Sequence, residues 1–171
     1  MFDVGELIIY GNSGVCKVMG VSTPSISAGI EDDRLYYELK PFNQREGRIM
    51  TPVENKKIPM RRILNKEEAN QLIHDMPQIE MLWIENDKTR ETQYKECIRS
   101  ADCREWVRMI KTLYKRRQDR LRQGKRMTAT DERYLRQAED YLYSELSIPL
   151  GIPKDQMESY IAENIEHMNN N

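Results

Sequence analysis

The stretch KIPMRRILNKEEANQLIHDM, Lys57–Met76, is where the chain changes period. KIPMRRIL reads as a last short extended piece. Asn65 is a candidate N-cap, and KEEANQLIHDM beyond it reads as helix. Everything before Asn65 reads as β and nearly everything after it as α. The expected fold class is therefore α+β in two modules: a small bent β-sheet or barrel over residues 1–65, then an all-α bundle over 66–171, with a linker near 75–93.

Upstream, the strands are short. VGELIIYGNSGVCKV, Val4–Val18, places an apolar run on each side of Gly-Asn-Ser-Gly. A phosphate-cradling loop would need a following Lys-Ser/Thr and a helix, and a strand follows instead, so GNSG reads as a hairpin turn. RLYYELK alternates, with Leu35, Tyr37 and Leu39 on one face. A turn over Phe42–Gly47 leads into GRIMTPV, which ends at Pro52, a residue that cannot donate to a ladder. Ser22–Asp33 (STPSISAGIEDD) reads as a polar loop with Ile26 apolar in its middle. Tyr10, Tyr36, Tyr37 and Phe42 suit an aromatic cage for a methylated side chain, but core and cross-strand packing is the preferred reading.

Downstream, Pro77 interrupts the first helix. Ile79, Leu82 and Trp83, spaced three and four apart, predict that a helix restarts. The polar link ENDKTRETQ, Glu85–Gln93, fits either helix or exposed loop, and YKECIRSA is helical. Asp102 with Glu105 resembles a capping box. The helix it starts carries Trp106, Val107, Ile110, Leu113 and Tyr114 on one face and ends at Gly124. Thr128 or Thr130 caps the next, with Leu135, Ala138, Leu142 and Leu146 inward. Gly151-Ile152-Pro153 breaks the chain before a last helix marked by Met157, Ile161 and Ile165. No internal repeat is present.

Over 171 residues the net charge is only −1, with 39% hydrophobic and 32% charged residues, the make-up of a globular protein with a large polar surface. The balance hides an asymmetry. Residues 88–136 hold 16 Lys and Arg against 7 Asp and Glu, whereas 137–171 hold 1 against 7. KTLYKRRQDRLRQGKR, Lys111–Arg126, carries eight basic residues and one acid. A run of one sign on a helix is often just a solvated face, but this density favours a polyanion partner, bound through backbone and shape rather than base edges. Trp106 belongs to an apolar stripe and is expected in the core. Trp83 stands at the edge of a polar link, where it suits either a short helix's core or a wedge into a minor groove.

Catalysis is poorly supplied. There is no HExxH, GxSxG or Walker-like loop, and no His stands near a nucleophile in sequence. Three cysteines, Cys16, Cys97 and Cys103, form no CxxC pair, and with only His74 and His167 beside them a zinc site lacks ligands. They read as reduced, part-buried hydrophobes. No enzymatic activity, metal or cofactor is expected. No apolar run is long enough to span a membrane, and MFDVGELII lacks the features of a secretory signal, so the expected compartment is the cytoplasm.

These residues resemble the CarD/CdnL family of bacterial transcription regulators. FDVGELIIYGNSGVCKV is similar to the family's opening strand–turn–strand, and RIMTPVEN to its strand running into V-P-x-x-N. YKECIRSADCREWVRMIKTLYKRRQDR and MTATDERYLRQAEDYLYSELS are similar to its two long helices. The resemblance spans essentially the whole chain. It implies a Tudor-like N-terminal module, like one in the transcription-repair coupling factor, that binds the RNA polymerase β subunit. It also implies a helical module touching promoter DNA, with low sequence specificity, at the upstream bubble edge, where a tryptophan wedges into the minor groove. The implied protein is a monomer, associated with the nucleoid through polymerase. The family's docking arginines correspond here to Met50, beside Ile49, and to about Ser25, while a family isoleucine matches Ile26. The wedge position, four residues before Tyr-Lys, is Arg90, and Trp83 stands seven residues earlier. Either the segment is re-routed so that Trp83 wedges, or DNA is held without a tryptophan. Lys95 matches the Tyr-Lys lysine. With it, Trp83, Lys88, Arg90, Arg116, Lys125, Arg126 and Arg133 make up the expected DNA surface. The alternative is an adaptor for RNA or acidic protein with no role in promoter melting.

Overall fold

The computed structural model describes residues 1–23 and 33–171. Most of the polar loop expected at Ser22–Asp33, with Ser25 and Ile26, lies outside the described residues. The chain forms two compact units, Met1–Ile63 and Leu64–Asn171.

The first unit is one five-stranded antiparallel sheet. Its strands are β1 (Leu7–Tyr10), β2 (Gly14–Ser22), β3 (Tyr36–Pro41), β4 (Ile49–Pro52) and β5 (Met60–Arg62). They pair in the order β4-β3-β2-β1-β5, so β4 and β5 are the edges. The β1–β2 hairpin turns through Gly11-Asn12-Ser13, with the Ser13 amide donating to the Tyr10 carbonyl at 2.8 Å. Gly14 closes it at φ +69°, which a side chain would resist. Tyr37 faces Val21 and Thr51, and Leu39 faces Val18 and Ile49. Alternation puts Tyr37 and Leu39 on the inner face, where they form the core with Ile8, Tyr10, Cys16 and Val18. The aromatic residues divide accordingly. Tyr10 and Tyr37 are core, Tyr36 lies on the opposite face, and Phe42 is exposed. Pairing slips between Val18 and Gly20, a bulge that leaves Met19 exposed.

The second unit holds α1 (Lys66–Asp75), α2 (Asp87–Arg99), α3 (Cys103–Arg122), α4 (Ala129–Leu150) and α5 (Met157–Asn169). Asn65 starts α1 with a full capping box: the Glu68 amide donates to Asn65 Oδ1 at 2.8 Å and the Asn65 amide to Glu68 Oε2 at 2.9 Å. Asn86 starts α2 by accepting from the amides of Lys88 and Thr89, so most of the polar link is helix. Asp102 accepts from the Arg104 amide, but Glu105 turns to Arg108 instead of back to the cap, so only half of that expected box forms. A Schellman pair ends α3: Lys125 N donates to Arg120 O at 2.9 Å and Gly124 N to Leu121 O at 3.0 Å, with Gly124 at φ +73°. Thr128, not Thr130, caps α4.

The core of this unit is the α3 stripe of Trp106, Val107, Ile110 and Leu113 against Leu135, Ala138, Leu142 and Leu146 of α4. Trp106 meets Tyr141 edge-on at 5.5 Å between centroids. The three cysteines are buried and unbridged, and burial pushes the Cys16 and Cys97 thiols up to about 12.

One expected element does not form. Residues 79–86 are not helical. Ile79 is buried, Leu82 half-buried and Trp83 exposed, so their spacing of three and four marks no common helix face. Pro77 cannot continue the α1 hydrogen-bond ladder. One 3-10 turn, Met76–Gln78, closes with the Ile79 amide on the Met76 carbonyl, and the Ile79 and Glu80 carbonyls and the Leu82 amide are bonded to side chains of α3.

Candidate nucleic-acid interface

Charge density is the sequence signal for this surface, and the structure divides the cations by what already engages them. Arg116 is turned inward. Its Nε lies 2.5 Å from Asp131 Oδ2, and that carboxylate is only 3% exposed. Arg90 donates to Asp87 and to the Tyr94 hydroxyl along its own helix. Lys111 donates to three carbonyls of the segment after α1. Arg104 reaches back to Asp75 at 2.5 Å. Its hydrogen bond, with one from Gln71, holds the Asp75 carboxyl below the usual carboxylate range. Arg117 lies over the Tyr114 ring at 4.8 Å, and Arg120 bonds the Arg126 carbonyl.

Others point into solvent. Lys95 and Arg133 are exposed and share Glu91, at 3.7 and 3.4 Å. Such exposed pairs contribute ~0–1 kcal/mol and exchange readily for a phosphate. Lys88, Lys125 and Arg126 are exposed, and among the described residues no ion pair engages them. Lys125 and Arg126 sit immediately past the Schellman turn, which fixes where the chain leaves α3.

Trp83 is 83% exposed, against 0% for Trp106. That removes the core reading for Trp83. It borders a recess of about 440 Å³ whose other walls include Leu82, Ile84, Thr112, Lys115 and Arg120. An indole has much to lose by standing in water, so an exposed one beside cations suits a partner that is both stackable and anionic.

In the sheet unit, the candidate docking residues separate by face. Met50 pairs with Glu38 on the edge strand β4 and is 44% exposed. Ile49 is the next residue along and packs against the sheet core, so its side chain belongs mainly to the fold. Ser25 and Ile26 lie outside the described residues.

Sequence reasoning missed two things. Asp131 is the buried partner of Arg116, from another helix. Lys111 and Thr112 hold backbone, a role that membership of the basic run does not announce for Lys111. A lone threonine inside so basic a helix was the available signal. Among the described residues, no cluster of His, Cys, Asp or Glu is arranged to hold a metal, and no helix is long and apolar enough to cross a membrane.

An edge-presenting sheet followed by a helical unit with an exposed tryptophan and outward cations defines an interaction protein built of two units. Comparison with family models agrees in both halves: residues 2–64 match the CarD-like/TRCF RID domain and residues 76–162 the CarD C-terminal domain. The chain belongs to the CarD/CdnL family, whose domains are interaction domains, and it is a transcription-related, RNA polymerase-interacting protein. None of the curated proteins compared with it is a significant match.

Proposed function

We propose that the chain docks on the β subunit of RNA polymerase through its sheet and holds promoter DNA at the upstream edge of the melted region through its helical unit. The observation that carries this is Trp83: a large apolar ring exposed next to a basic helix. The ring enters the minor groove and separates one base step, which opposes closing of the bubble. Lys88, Lys95, Lys125, Arg126 and Arg133 supply phosphate contacts that carry no sequence preference. Arg90 and Arg116 shape the surface from within. Docking on polymerase raises the local concentration of the helical unit at the promoter, so each DNA contact needs only modest strength.

The test is the lifetime of promoter open complexes formed with purified polymerase. Trp83→Ala is expected to change it about tenfold relative to the native chain, a difference of about 1.4 kcal/mol. A lifetime identical to that of the native chain would rule the wedge out.

Docking is tested separately. The proposed face runs along β4 through Met50, with Ser25 and Ile26 assigned to it by sequence. Met50→Glu places a carboxylate beside Glu38 on an edge that would otherwise pair or pack with the partner. Binding to an isolated β fragment is expected to weaken about tenfold or more. Unchanged binding would move the docking face elsewhere on the sheet.

A further inference from the structure

Three side chains of α3 hold the segment Met76–Leu82, and all of them bind its backbone. Arg108, Lys111 and Thr112 are spaced three and one apart, so they share one face of the helix. The Lys111 ammonium donates to the carbonyls of Met76 at 3.0 Å, Pro77 at 3.3 Å and Ile79 at 2.5 Å. Arg108 Nε donates to the Glu80 carbonyl at 3.3 Å. Thr112 Oγ1 accepts from the Leu82 amide at 2.9 Å and donates to its own helix at the Arg108 carbonyl, 2.7 Å away. That second bond fixes the hydroxyl rotor, so its lone pair is aimed at Leu82.

Trp83 is the very next residue. Asn86, whose side chain caps α2, is the next anchor. Only Trp83, Ile84 and Glu85 lie between the two.

We propose that Arg108, Lys111 and Thr112 are positioning residues that hold the Trp83 backbone ready for insertion into DNA, the Thr112–Leu82 bond being the last fixed point before the ring. The proposal rests on the reading of Trp83 as the wedge. A tryptophan on a loose loop gives up backbone freedom each time it inserts. One whose backbone is already fixed gives up only its two side-chain torsions. The charged bonds from Lys111 suit this role, because an ammonium shared by three carbonyls pins the single 3-10 turn at Met76–Gln78, beyond which no helix continues. These contacts read backbone alone, so they set the path of the segment without engaging the exposed side chains of Gln78, Glu80 and Met81.

The experiment uses the full chain with polymerase and promoter, and reads open-complex lifetime. Thr112→Val keeps the shape of the side chain and removes the hydroxyl, while Thr112→Ser keeps the hydroxyl. Thr112→Val is expected to lose about threefold or more of the Trp83-dependent effect, and Thr112→Ser to restore it. Combining Thr112→Val with Trp83→Ala is expected to do no more than Trp83→Ala alone, because both act through one ring. A purely structural role would give additive losses. Lys111→Met, run through the same cycle, serves if Thr112→Val lowers the folded fraction. Native behaviour of Thr112→Val and Lys111→Met where Trp83→Ala is defective would overturn the positioning role alone. Additive losses would overturn it too. A native lifetime for Trp83→Ala would overturn the wedge, and the positioning role with it.

Discussion

Replacing Arg116 by Met is expected to lower the stability of the helical unit by about 3–5 kcal/mol. Its guanidinium is the close partner of Asp131, whose side chain is 3% exposed. Without it a carboxylate stays buried with its charge uncompensated, and the native state must carry that cost. Domains of this size have only about 5–15 kcal/mol in total, so the melting temperature should fall by roughly 10–25 °C. Arg116→Met combined with Asp131→Leu should recover most of the loss, since replacing both members of a buried pair by apolar groups is close to neutral. Thermal melts of the two variants check this. A stable Arg116→Met protein with weakened DNA binding would instead put this arginine on the outer surface.

The two tryptophans should separate just as clearly. Trp106→Ala removes a ring with 0% exposure that packs edge-on to Tyr141. Emptying such a site costs about 3–5 kcal/mol through lost burial and the cavity left behind. Trp83→Ala removes a ring that is 83% exposed, and its effect on melting should stay within about 0.5 kcal/mol. Melting curves of the two variants, set beside open-complex lifetimes, divide stability from function. If Trp83→Ala destabilised the fold as Trp106→Ala does, the indole would be packed in solution and unavailable to DNA.

The sheet and most helix starts were legible because their signals are local. Alternation over RLYYELK fixes the inner face of β3 at Tyr37 and Leu39, while Leu35 falls ahead of the strand and is exposed. Asn65, Asp102 and Thr128 each announce a helix through side-chain bonds that span at most three residues. Trp106 was legible as core because its neighbours repeat with the helix. The segment 79–86 was not. Its spacing matches a helix, but its backbone partners come from about thirty residues downstream, on α3. No local pattern reports a bond over that distance. The basic run was legible as charge but not as function. Whether an arginine faces water or a buried carboxylate depends on which helix lies opposite, and Asp131 stands fifteen residues from Arg116 across the turn between α3 and α4. The candidate surface was therefore named as a block, and its members separate only once the helices are packed.

The hold on residues 76–82 is indifferent to which amino acids it holds, and so it measures length. An added residue between Ile79 and Leu82 would leave Lys111 on the carbonyls of Met76, Pro77 and Ile79, and Thr112 facing a backbone out of step by ~3.3 Å. That offset is close to the rise of one base step. Substitutions at its exposed positions, Gln78, Glu80 and Met81, are thus the tolerated kind of change, and a single insertion or deletion is the kind that would redirect the indole to a neighbouring step.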